Sequence, residues 1–400
     1  MPILLPTDLP QGFRYAARAA GIKKSGKPDL ALIVADRAVP CAGVFTTNRV
    51  VAAPVVLTRE RLRSGVCQAI LVNSGNANAC TGAQGLADAH RCAALVAGAL
   101  GIAEELVTVS STGVIGVPLP IDRFVEAVPH LAADLSAGGA AEVARAMMTT
   151  DAFPKAAVRR ISIAGRECRI VGLAKGAGMI HPNMATMLAF VMTDAALDSA
   201  LAQCLLRDAV GRTFNRITVD RDTSTNDTVQ LMASGAAGTA SLLPGSPDAA
   251  VFSEALEEVL QDLAKMIVRD GEGASKLVRI QVDGAASEAD ALCVARSIAT
   301  SALVKTAFFG ADANWGRIIA AAGYAGVDID PDRVSICFDE VPMVTRGLGM
   351  GAEQEGKATE VLKKAEFTVT VGLGLGGGSA WYYTSDLGYE YVRINADYRS

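Results

Sequence analysis

Thr186 stands where a Gly- and Pro-rich stretch, Lys175-Gly176-Ala177-Gly178-Met179-Ile180-His181-Pro182-Asn183-Met184-Ala185, gives way to an apolar run from Met187 to Met192. The glycines and the proline exclude regular helix and imply a tight turn. The apolar run reads as a buried strand. A hydroxyl at the mouth of a core strand, behind a constrained loop, is placed to attack the carbonyl of the preceding residue, Ala185. Scission of the Ala185–Thr186 bond leaves Thr186 with a free amine beside its hydroxyl, one route to an activated nucleophile. Taken alone, these residues favour a plainer reading, a Thr that satisfies backbone groups at a strand start.

Other stretches hold parts of the same chemistry. Ser111-Thr112-Gly113-Val114-Ile115-Gly116 follows a strand, and a hydroxyl next to an exposed amide there could serve as an oxyanion hole or form an ordinary Gly turn. Asn73-Ser74-Gly75-Asn76-Ala77-Asn78-Ala79-Cys80-Thr81-Gly82 is a polar, turn-rich loop. Met148-Thr149-Thr150-Asp151 ends a helix with two hydroxyls and a carboxylate, as a cap would. Asp270-Gly271-Glu272-Gly273 sets Glu272 between glycines, either as an exposed turn or as a partner for a small amine. Lys175, opening the Gly-rich loop, reads as a solvated surface charge. The three His residues, His90, His130 and His181, have no Ser, Cys or Asp at telling spacing, which argues against a His-based triad.

Taken together, the segments resemble the glutamate N-acetyltransferase (ornithine acetyltransferase) family of arginine biosynthesis. KGAGMIHPNMATML resembles that family's processing site, and STGVIG, VNSGNANACTG, the TTD motif and the terminal INADYRS extend the likeness over nearly the whole chain. The resemblance implies autocatalytic cleavage into fragments 1–185 and 186–400, with Thr186 as new N-terminus and acetyl carrier. It implies an oxyanion hole at Thr112 and Gly113. It assigns substrate contacts to Thr149 (Thr150 stays open), Lys175, Thr186, Glu272, Asn395 and Ser400. It implies transfer of acetyl from N-acetyl-ornithine to glutamate, leaves acetyl-CoA open as a second donor, and suggests two copies of each fragment. Three places depart from the family pattern: Arg221 replaces a Gly in DRDTSTNDT, Ala311 and Ala313 alter GADANWGR, and WYYTSDLGYEYV differs in spacing.

The elements that must position these residues can be read from the rest of the chain. Its 400 residues, half apolar and one-fifth charged, suffice for two cores or one large layered one. A net charge of −5 with scattered basic residues argues against nucleic acid or an anionic membrane surface as partner. Eight dispersed Cys without a CxxC give no zinc spacing, so neither metal nor other cofactor is expected, and the default compartment is a reducing cytoplasm. The N-terminus lacks signal-peptide character and no apolar run reaches membrane length.

Short strands in hairpins mixed with helices predict an α+β fold, mostly antiparallel sheets covered by helices in a layered sandwich, with a second, smaller α/β domain. The stretch 238–247 is the expected domain junction. Expected elements include a hairpin about Gly165, a helix over Asp122–Leu135 kinked or split at Pro129, one long helix over Glu288–Thr306, and a terminal strand over Tyr389–Ile394. A hydrolase that passes the acyl group from Thr186 to water, or an uncleaved anion-binding protein using Lys175 to Gly178, are the rival readings. A P-loop does not fit, because its Lys must follow the glycines.

Overall fold

A computed structural model describes residues 4–181 and 187–397. Its strands form two sheets. Those of the first half are β1 (Phe13–Arg18), β2 (Leu30–Phe45), β3 (Val66–Asn76), β4 (Val107–Val114), β5 (Lys155–Ile163) and β6 (Arg166–Lys175). The second half contributes β7 (Leu188–Thr193), β8 (Ile217–Thr218), β9 (Thr228–Ala233), β10 (Leu277–Ala285), β11 (Ser335–Phe338), β12 (Val341–Thr345), β13 (Leu348–Gly349), β14 (Glu366–Gly372) and β15 (Gly378–Ser385). The first sheet runs β4-β3-β2-β9-β7-β6-β5 with β1 paired to β2, and the second runs β13-β12-β11-β14-β10-β15-β8. Most ladders are antiparallel; β3/β4, β7/β9, β10/β14 and β8/β15 are parallel.

The expected hairpin closes where Ala164 and Gly165 both take positive φ, 48° and 77°, as a tight two-residue turn between twisted strands requires. Strand β6 then pairs with β7 from Ile170↔Thr193 to Lys175↔Leu188, which places Lys175 and Leu188 opposite each other at the mouth of the sheet. Every residue of β7 and β9 is buried. Central strands covered on both faces read as continuous apolar runs, which is why Met187–Met192 shows no alternation.

The helices are α1 (Ala53–Arg61), α2 (Gly82–Leu100), α3 (Ile121–Ala133), α4 (Ala140–Met147), α5 (Ser199–Arg212), α6 (Pro247–Arg269), α7 (Glu288–Thr300), α8 (Ala302–Phe309), α9 (Trp315–Gly323), α10 (Ala352–Leu362) and α11 (Tyr389–Asp397). Leucines, valines and alanines of α5 and α6 pack on one face of the first sheet, and α4 covers the other. Helices α7 to α10 share a core with the second sheet. The α+β layering expected from sequence is what the chain adopts. Residues 238–247 link β9 to α6, and α6 packs back on β5 and β6 in the first core.

Three local expectations need correction. Helix α3 runs continuously through Pro129. The expected long helix over 288–306 is two helices bent by 59°, because the Ser301 hydroxyl accepts the Val304 amide and starts a new helix. The terminal segment is helix α11 and not a strand. Its alternation of Tyr389, Tyr391 and Val392 with charges misleads because Tyr389 and Val392 are mostly exposed. Among the described residues no single helix is long and apolar enough to cross a membrane.

Candidate active site

Thr112, Gly113, Thr149, Thr150, Lys175, Glu272 and Asn395 line one pocket. Strand β4 carries the first two, the turn after α4 the next two, the end of β6 Lys175, the turn after α6 Glu272, and α11 Asn395. Ala185, Thr186 and Ser400 lie outside the described residues.

Lys175 is 3% exposed, and its ammonium donates to Thr149 Oγ1 at 2.9 Å and to Thr112 Oγ1 at 3.4 Å. A hydroxyl that accepts from an ammonium keeps its own proton to donate elsewhere. Thr112 is thereby held as a donor, the property an oxyanion hole needs. Gly113 sits at φ +133°, and a Cβ there would collide with the backbone of Gly75, its partner in the β3/β4 ladder. Only glycine lets the two strands meet so closely at this rim.

Glu272 is 9% exposed; its Oε2 accepts from Asn395 Nδ2 at 2.8 Å and its amide donates to Ala177 O at 2.9 Å. Its carboxylate lies against Gly178, where any Cβ would clash with it. Asn395 reaches it because residues 391 and 395 share one face of α11.

Beneath the pocket is a buried ionic chain that sequence reasoning missed. Lys155, fully buried, bridges Asp151 at 2.7 Å and Asp270 at 2.6 Å, and Asp151 lies 3.9 Å from Lys175. Burial alone raises the Asp151 pKa, but Lys175, Lys155 and hydrogen bonds outweigh it and hold the carboxyl well below its usual range. Asp270 goes the other way, raised by burial more than Lys155 lowers it. Burial pushes the Lys175 ammonium down, against the pull of Asp151. The i,i+4 spacing of Asp151 and Lys155 was visible, but Asp270 enters from over a hundred residues away.

Three residues of the Asp220–Thr228 stretch also prove structural to the site. Asn226 Nδ2 donates to Ala77 O at 2.7 Å and Ser111 O at 2.9 Å, tying the Asn73–Gly82 loop to the oxyanion strand. Asp220 accepts the amides of Met179 at 2.6 Å and Ile180 at 2.8 Å. Asp227 Oδ1 accepts the Met187 amide at 2.8 Å, while its buried Oδ2 has no hydrogen-bond partner among the described residues. Burial raises the Asp227 pKa well above the carboxylate norm despite the Met187 amide and nearby Lys175. Together Asp220 and Asp227 anchor the chain on both sides of residues 182–186. Arg221, where the family has Gly, takes φ +72°, so the left-handed turn is kept at a strain of about 1–2 kcal/mol. Among the described residues no cluster of His, Cys, Asp and Glu is arranged to hold a metal.

Preset donors, a buried amine and an enclosed carboxylate, gathered on a layered α+β frame, define an enzyme. The chain belongs to the ArgJ family, whose model matches residues 14–400. An arginine biosynthesis bifunctional protein ArgJ from Syntrophotalea carbinolica is 59% identical over 97% of this chain and 99% of its own. One from Geobacter sulfurreducens is 56% identical over 98% and 99%. A crystal structure of the ArgJ protein from Bacillus halodurans aligns at 47% identity with TM-score 0.51, covering 52% of this chain and 98% of that one.

Proposed function

We propose that this chain is a self-processing acetyltransferase of arginine biosynthesis that moves acetyl from N-acetyl-ornithine to glutamate through an ester on Thr186. The observation that carries this reading is the meeting of Thr112, Gly113, Thr149, Lys175, Glu272 and Asn395 at one pocket, in a chain matched to the ArgJ family over nearly its full length.

In maturation Thr186 Oγ attacks the Ala185 carbonyl carbon. Its C–O bond forms, the C–N bond to Thr186 breaks, and the hydroxyl proton passes to the released amine. Water then hydrolyses the ester, leaving a carboxylate on Ala185 and a free Thr186 hydroxyl. In turnover the Thr186 amine takes the proton of its own hydroxyl as that oxygen attacks the N-acetyl group. Thr112 and Gly113 stabilise the oxyanion in both reactions. Ornithine leaves with the returned proton, and the glutamate amine attacks the acetyl ester. Lys175 suits the α-carboxylate shared by both substrates; Glu272 suits the side-chain ammonium of ornithine; Asn395 and Ser400 complete the contacts.

Cleavage gives fragments 1–185 and 186–400, two copies of each in the assembly, working in the cytoplasm. The Bacillus halodurans chain, nearly all of it matched by about half of this one, is of the size expected for a fragment. The relatives' name, bifunctional, fits acetyl-CoA as a second acetyl donor.

Intact-mass measurement under denaturing conditions tests the processing: the expected result is two chains dividing between Ala185 and Thr186, and one whole chain for Thr186→Ala. A single uncut chain in active protein refutes the mechanism. Acetate released from N-acetyl-ornithine at the same rate with or without glutamate would instead make the enzyme a hydrolase.

A further inference from the structure

We infer that the cleft beside the Met179–His181 segment, distinct from the pocket just described, binds the phosphate end of a nucleotide-sized organic anion. The cleft has a volume of about 670 Å³, within the range of small-molecule sites. It borders the first pocket through two elements. His181 lines the cleft while Gly178 and Met179 line the pocket, and on α11 Tyr391 lines the cleft while Asn395 lines the pocket.

Its charge is what selects an anion. Arg221 and Arg296 both line it, and among the described residues neither guanidinium has an ion-pair or hydrogen-bond partner. Arginines nearby are engaged, Arg216 with Glu288 at 2.8 Å and Arg317 with Leu303 O at 2.8 Å. Arg296 and Arg221 share the cleft wall with His181, whose ring is pushed down to about 4 first by burial and then by those two charges. The acid in the wall, Asp220, is already committed to the Met179 and Ile180 amides and accepts from the Tyr391 hydroxyl at 3.3 Å. Asp386, farther in, accepts from the backbone and hydroxyl of Ser275 and from the Lys276 amide.

Two further features fit the rest of such a ligand. Ala302 and Leu303 line the cleft as the first residues of α8, so the positive end of that helix faces the same space; the Val304 amide is taken by the Ser301 hydroxyl, and those of Ala302 and Leu303 have no partner among the described residues. Lys305, 3% exposed at the cleft floor, already gives its three donors to Thr384 Oγ1 at 2.8 Å, Ser385 Oγ at 3.1 Å and the Ser385 carbonyl, and burial pulls it down to about 7, so the arginines carry the charge. At the lip Tyr324, 65% exposed, offers an aromatic face on which a base can stack. Fork-shaped guanidiniums, helix amides and a ring at the rim match a phosphate joined to an aromatic base.

The test uses the purified full protein and titration calorimetry with ADP, pyrophosphate and adenosine. Saturable binding of ADP and pyrophosphate at one site per chain is expected, with adenosine at least about tenfold weaker. Arg296→Ala and Arg221→Ala should each weaken ADP about tenfold or more, while Arg212→Ala, whose partner is Glu257 elsewhere on the surface, should not. ADP binding no tighter than adenosine, or unchanged in both variants, overturns the proposal. Neither readout depends on cleavage or acetyl transfer, so failure here leaves the acetyltransferase reading standing, and the reverse. The two sources of such a phosphate separate by competition. If the ligand is the carrier end of a thioester donor, acetyl-CoA displaces ADP and Arg296→Ala raises KM for acetyl-CoA alone. If it is a free nucleotide, the two bind without competing.

Discussion

Glu272 and Lys155 show how differently two charges in one site behave. Glu272 faces the pocket with Asn395 as its one side-chain partner among the described residues, so its charge is available to a ligand. Glu272→Gln keeps shape and hydrogen bonding but removes the charge. It is expected to raise KM for N-acetyl-ornithine at least about tenfold and to change KM for glutamate far less, since glutamate has no second ammonium. Equal losses in steady-state kinetics with each substrate would mean that Glu272 holds the fold or the shared backbone. Lys155 has no such freedom. Fully buried between Asp151 and Asp270, it is expected to cost about 3–5 kcal/mol on Lys155→Met, because two carboxylates lose their common counter-charge. The sign of the pH effect follows from Asp270, whose folded pKa is already raised. A raised carboxyl destabilises the fold once it ionises, so the Lys155→Met penalty should shrink as pH falls from 7 toward 5. Urea melts at both pH values check this; a penalty that grows on acidification would contradict the pairing. The pocket-facing residues were legible in the sequence through motifs that resemble a known family, since Thr112, Gly113, Lys175 and Asn395 sit in or at the ends of regular strands and a helix and, taken alone, their stretches read as turns, caps and surface charge. Lys155 was not, since Asp151-Ala152-Phe153-Pro154-Lys155 looks like a cap and a strand start until Asp270 is brought against it.

At the scale of elements, the docking of α6 decides where Glu272 lies. The helix ends at Arg269, Asp270 caps it, and Glu272 follows two residues later. It crosses β6 at Gly172, where an added Cβ would stand 2.7 Å from Leu263 and 2.8 Å from Val259. The missing side chain lets the helix sit directly on the sheet. Gly172→Ala should therefore lift α6, costing about 1–3 kcal/mol in a denaturant melt, and should lower kcat through displaced Asp270 and Glu272. A variant as stable and active as the parent would show that α6 adjusts without moving its end. Periodicity showed α6 clearly, with apolar residues along one full face. It failed at α7 and α8, where helical spacing runs on through Ser301 and the break depends on one cap, and at α11, where aromatic alternation resembles a strand. Both failures occur beside the cleft or the pocket, where side chains serve contacts other than the core.

For the whole molecule, the order of strands in the first sheet carries the main consequence. Strands β7 and β9, from the second proposed fragment, stand between β2 and β6 of the first, paired with β2 from Cys41↔Met232 to Phe45↔Thr228 and with β6 along its last residues. No sequence pattern shows this, because β2 and β9 pair residues nearly two hundred positions apart and local propensity is silent about register. The two fragments therefore complete one sheet and one core, with α6 of the second lying on β5 and β6 of the first. Cutting the Ala185–Thr186 bond removes a covalent link but none of these ladders, so it should not release either piece. Cleaved protein is expected to elute from size exclusion as one species containing both fragments, and to lose β6/β7 and β2/β9 amide protection together as denaturant rises. Separation should occur only above the global unfolding midpoint, where two masses appear. Fragments that part in native buffer would mean that the β2/β9 and β6/β7 ladders do not hold the molecule together, and the interleaved sheet would be wrong for the mature enzyme.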